Sequence, residues 1–171
     1  MTLRAQEEYN ALRATIRQRG TARVWVFIAG YVAWAAIALV ASAMALPPVV
    51  ALLPLVVLAA TFESVLALHV AVERIGRYLL VFHDDDWERA AGSFGRPRGA
   101  IGVDALFAVP FGIATVLNLM PLMVTTPTVQ ELAVAGIAHA AFIVRVIVAR
   151  AAAARQRAID TERFQQLKSG T

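Results

Sequence analysis

Glu63, His69 and His139 are ionisable side chains that stand in stretches built mostly from hydrocarbon and small residues. A charged group in a bilayer core costs roughly 2.5 to 3.5 kcal/mol on insertion scales, so each is a candidate for function. Glu63 leads. It can hold an ion or proton on a conduction path, pair with an arginine such as Arg145 or Arg23, or stay protonated because its surroundings exclude water. His139, beside Gly136 and Ala140, can assist Glu63 as a proton relay or serve as a satisfied core histidine. His69 precedes Glu73 by four residues, the spacing of a simple hydrogen bond along a helix.

At 1.5 Å per residue, Glu63 lies about 21 Å along the stretch that starts at Val49. On a helical wheel it shares a face with Val70, Arg74 and Arg77, with Glu73 at the edge. Ala60, Ser64, Ala67 and Ala71 form a neighbouring stripe of small residues that lets another helix approach closely. The pattern directs Glu63 into a bundle or a subunit interface rather than at lipid.

Other chemistry has little support. No His-Glu-x-x-His, paired Glu-x-x-His, Gly-x-Ser-x-Gly or phosphate-cradling glycine loop occurs, and there is no cysteine. The expectation is therefore a non-enzyme without metal or cofactor. The acidic string Phe82-His83-Asp84-Asp85-Asp86-Trp87-Glu88 lacks the alternating oxygen ligands and glycine of a calcium loop. It fits a cap instead: Asp85 with Glu88 opens a short helix running through Ala91 and ended by Gly92, and it offers Trp87 for a protein contact. Thr128 and Glu131 form a second capping box.

These residues are positioned by a chain of 171 residues that is 59% hydrophobic and 16% charged, too apolar for a soluble domain. About 20 apolar residues cross a hydrocarbon core roughly 30 Å thick, and only a helix satisfies its own backbone there. The expected spans are 24–46, 49–72, 105–124 and 129–149. The third is kinked by Pro110 and Gly112, and the fourth is weakened by Glu131 and Arg145. Small residues recur on them, at Ala29, Ala33, Ala36 and Ala43 and at Ala108 and Gly112, which favours tight helix contacts and a homo-oligomer.

All sixteen Lys and Arg fall into three groups: Arg4 to Arg23, Arg74 to Arg98, and Arg145 to Lys168. Four crossings place every one on the same side, which the positive-inside rule makes cytoplasmic. The turns at Pro47-Pro48 and Thr125-Thr126-Pro127 then lie outside. The reading is an all-α protein of the bacterial inner membrane with two helical hairpins and both termini cytoplasmic. The net charge of +4 is explained by orientation, so no nucleic-acid partner is expected.

Three cytoplasmic pieces remain. Residues 1–22 carry Ala5, Tyr9, Leu12 and Ile16 at helical spacing and are expected to form an amphipathic helix on lipid headgroups or against a partner. Residues 73–104 form a loop with the short helix and a basic linker at residues 94–99 that faces anionic lipid. Residues 150–171 continue the fourth span as one long final helix. Two functions compete: a small oligomeric channel or transporter using Glu63 with His69 or His139, and a non-catalytic scaffold that recruits a cytoplasmic protein through Tyr9, Leu12, Ile16 and Trp87.

Overall fold

A computed structural model describes residues 2–44, 46–94, 105–120, 122 and 125–170. All regular structure among them is helical. In chain order the elements are α1 (Leu3–Ala43), a 3-10 turn (Pro48–Ala51), α2 (Leu52–His83), α3 (Asp86–Phe94), α4 (Ala105–Leu117) and α5 (Val129–Ser169). Three stretches are long and apolar enough to cross a bilayer: Leu3–Ala43, Val49–His83 and Val129–Ser169.

Helix α1 departs from expectation. The anticipated amphipathic helix over 1–22 and the span over 24–46 are one uninterrupted helix of 41 residues, about 60 Å long. Thr2 caps its start by accepting the Ala5 N–H at 3.3 Å. The only weak position between the two parts is Gly20, and one glycine costs about 1 kcal/mol, too little to break a helix flanked by good helix formers.

Helix α2 ends at Asp84, whose φ of 50° is left-handed, a conformation that Asp tolerates better than most residues. Helix α3 runs past Gly92 to Phe94, beyond the stop expected from sequence, and the basic linker that follows lies outside the described residues from Gly95 on. Helix α4 covers the first 13 residues of the expected span 105–124, about 20 Å, before the chain turns at Asn118 and Leu119; residues 121, 123 and 124 lie outside the described residues.

Helix α5 bears out the capping box: the Thr128 hydroxyl accepts the Glu131 N–H at 3.3 Å while the Glu131 carboxylate accepts the Thr128 N–H at 2.9 Å. From there it is one long final helix, stopped at Gly170 with φ 75°. Glu131 caps this helix from outside the apolar run, which is why its charge does not weaken the stretch as the sequence implied.

The core is aromatic. Phe111 of α4 is fully buried and meets Phe62 of α2 edge-on at 5.2 Å, Tyr31 at 5.5 Å and Phe27 at 5.8 Å, while Phe142 of α5 closes on Phe62 at 5.9 Å. Edge-to-face rings at such spacing add to the burial itself. Between α1 and α2, Gly30 stands so close to Thr61 that an added Cβ would lie 2.1 Å from its hydroxyl.

Contacts fix how the helices run. Glu8 meets Tyr78, and Lys168 meets the Val81 carbonyl. The start of α1, the end of α2 and the end of α5 therefore gather at one end of the bundle, here the terminal end. Asn118 meets Ala51 at the opposite end. Helix α1 is antiparallel to α2, and α5 is parallel to it.

Candidate functional site

The residues singled out within the apolar stretches are not brought together. Glu63 accepts a hydrogen bond from the Arg145 guanidinium at 2.7 Å, and the pair lies on the outer surface of the bundle, with side chains 48% and 45% exposed. The helical wheel directs Glu63 inward or at an interface; within one chain it faces out, because the core face of α2 is taken by Leu58, Phe62 and Val65.

His139 is buried at 2% exposure and has no part in that pair. Its neighbour is Asn118. Trp34 can only donate, and its Nε1–H reaches the Asn118 Oδ1 at 3.1 Å, which fixes the orientation of the amide. The Asn118 amide group then donates to the Ala51 carbonyl at 2.8 Å and to the His139 Nε2 at 3.0 Å, while His139 Nδ1–H donates to the Ala135 carbonyl at 2.7 Å. Each donor and acceptor in this chain is used, and it pins α1, α4, α5 and the 3-10 turn together. The arrangement is that of a satisfied core histidine, not of a relay to Glu63.

His69 sits in a layer of charges. Arginine has no acceptor, so the Arg23 guanidinium donates to the His69 Nδ1 at 2.8 Å, leaving Nε2 for the Glu73 carboxylate at 3.5 Å. Glu73 also accepts from Arg157 at 3.1 Å and lies 3.5 Å from Arg77. Through this layer α1, α2 and α5 are joined at the margin of the apolar stretches.

Beyond it the terminal end is built around two buried aspartates. Burial alone would raise the Asp160 carboxyl, but Gln156, Arg77 and Arg74 all donate to it, at 2.8, 2.9 and 3.1 Å, and hold it below its ordinary value. They dock the tail of α5 on α2. Ring contacts of Phe164 with Tyr78 and Phe82 continue the same seam.

Asp85 does the corresponding work for α1 and α3. Its Oδ1 caps α3 by accepting the N–H groups of Trp87 and Glu88, and its Oδ2 accepts from the Tyr9 hydroxyl at 2.9 Å and from Arg13 at 2.5 Å. These bonds outweigh burial and lower the carboxyl below its ordinary value. The expected cap is present, but the Glu88 side chain does not close a capping box. It turns instead to Arg13 at 2.8 Å.

That fastening creates a groove of about 550 Å³ between α1 and α3, lined by Tyr9, Asn10, Arg13, Ile16, Arg17 and Trp87. Three of the four residues expected to contact a partner, Tyr9, Ile16 and Trp87, meet there. Leu12 does not line it. Trp87 is 70% exposed on the rim, and Arg17 is exposed opposite.

Asn118, Asp160 and the Asp85 to Arg13 link went unrecognised in the sequence. Asn118 had a faint signal as a lone amide after an apolar run, whereas Asp85 and Asp160 each stand near other acids that hide which one is used. Among the described residues no group of three His, Asp or Glu is placed to hold a metal ion. Comparison with known protein families, curated proteins and solved structures finds no match.

Proposed function

We propose that this chain is a four-pass protein of the bacterial inner membrane, both termini cytoplasmic, acting as a non-catalytic adaptor whose groove between α1 and α3 takes a segment of a cytoplasmic protein. The four passes are supported by the helix directions. Helix α2 ends where α5 ends, so the chain must return through α4 to the opposite end before α5 begins. Among the described residues, the Lys and Arg other than Arg145 lie toward one end, which supports the orientation.

The observation that carries the adaptor reading is the convergence of Tyr9, Ile16 and Trp87 on one groove at a depth that lipid does not reach. Arg23 and His69 form the first charged layer next to the apolar run 24–46. Arg13 lies ten residues further out, about 15 Å along a continuous helix, whereas the headgroup layer adds only about 5 to 8 Å per side. A helix continuous with a span also has no freedom to lie flat on headgroups. The groove therefore faces water, and a large exposed Trp beside Ile16 and a rim arginine suits a peptide segment with an apolar residue and a carboxylate.

The test is photo-cross-linking in cells with a photoreactive residue at position 87. The adaptor reading requires a protein adduct of defined mass that disappears with Arg17→Glu while membrane insertion is unchanged. No adduct, or the same adducts from a photoreactive residue at position 137, rejects it.

A second reading, a small oligomeric channel or transporter for an ion or proton, is favoured by the place of Glu63. A monomer core filled by Phe62, Phe111 and Phe142 leaves little room for water, but an exterior carboxylate is where a path between subunits would run. Ion flux into liposomes that is lost with Glu63→Gln supports it; absence of flux from the wild type eliminates it.

A further inference from the structure

We infer that the face shared by α2 and α5 is covered in the membrane by a second copy of this chain, related by a two-fold axis, so that Glu63 of each copy lies against Arg145 of the other. This goes beyond the adaptor reading and does not depend on it.

Glu63 is six residues from His69 on α2, so it lies about 9 Å inside the charged layer that His69 shares with Arg23. At that depth nothing in lipid can hydrogen-bond a charged group, and yet both side chains of the pair are about half exposed. One hydrogen bond uses one of the five N–H donors of the guanidinium and leaves lone pairs on the carboxylate. An ion pair half open to hydrocarbon is costly; the same pair enclosed by protein that supplies the missing partners is not.

Charge selects the occupant. An anionic lipid phosphate would satisfy Arg145 but would stand against Glu63. A second copy turned by a two-fold axis presents the opposite order, because an isologous contact sets residue i on j and j on i. Glu63, Arg145, the partner's Glu63 and the partner's Arg145 then form a ring of alternating sign. The surroundings permit the approach: Ala60 and Ala67 on α2 and Ala141 and Ala152 on α5 are exposed and small.

The absence of native cysteine makes the test clean. Two differently tagged copies are co-expressed, Ala67→Cys in one and Val148→Cys in the other, and oxidised in native membranes. A mixed disulfide is expected, whereas Val32→Cys on the exposed side of α1 stays monomeric. In a second arm, a Glu63→Arg copy and an Arg145→Glu copy are co-expressed with wild-type cysteine content. Each pairs poorly with itself, and together they pair well, so mixed dimers should exceed the about half given by random association. Cross-linking through Val32→Cys in place of Ala67→Cys, a monomer in both arms, or random sorting of the charge variants would each overturn the inference. If the charge variants do not accumulate, the cysteine arm decides alone.

Discussion

Gly30 stands where α1 comes hard against Thr61, and the fit there is tight enough for magnitudes to settle what a methyl group would do. Alanine gains about 1 kcal/mol over glycine in a helix, but forcing a Cβ into the buried Thr61 side chain costs about 1 to 3 kcal/mol. Gly30→Ala is therefore expected to lower the thermal midpoint of the purified protein. Gly136→Ala, where nothing lies within 4 Å, should leave it unchanged or raise it. The polar chain at the opposite end offers a second residue-scale test. Asn118→Leu strands the Trp34 N–H and the His139 Nε2, and bonds between helices in lipid are worth about 0.6 to 2 kcal/mol each. A fall in thermal midpoint is expected, with Trp34→Phe in the same background adding less than it does alone, because the two share a bond.

At the scale of elements, the terminal end is a set of helices clipped together by buried carboxylates. Asp85 and Asp160 both have folded pKa values below the ordinary 3.8. A depressed carboxyl contributes stability that is fully present above its unfolded value and is lost as pH falls through the folded one. Protease resistance of the segments 3–19 and 155–169 should therefore be flat from neutral pH to about 5 and weaken only below the ordinary 3.8. Resistance that decays between pH 7 and 5 instead would implicate histidine, and would contradict the assignment to these two acids. Asp160→Asn removes the charge that Arg74 and Arg77 share. A loss near 1.4 kcal/mol, on the order of tenfold faster cleavage of the α5 tail, is the expected result, with cleavage in 3–19 unaffected.

At the scale of the whole molecule, the proposed layout places the ends of the chain on one side of the membrane. A reporter fused after Thr171 should be active when it is a cytoplasmic type and silent when it is a periplasmic one; the reverse pattern would invert the proposed topology. Much of the architecture was legible in the residues themselves. Helical character, three of the long apolar stretches, the Thr128 and Glu131 box, the Asp85 cap and the unbroken final helix all follow from local chemistry, because a helix is specified by neighbours three and four residues apart. The shortness of α4 and the fusion of the first two segments were harder to see. Composition reports that a segment is apolar or amphipathic but not whether Gly20 bends the helix or whether Asn118 leaves it for a tertiary bond. What depended on distant parts of the chain was decided only by the tertiary structure. Arg145 is 82 residues from Glu63 and Asp85 is 72 from Arg13, and one dimension of sequence does not state which acid meets which base. The sequence alone determined that Glu63, His69 and His139 had to be accounted for, since polar groups among hydrocarbon are never free of cost. Folding in three dimensions determined the account: one was turned outward against an arginine, one was set in a charged margin, and one was sealed in the core.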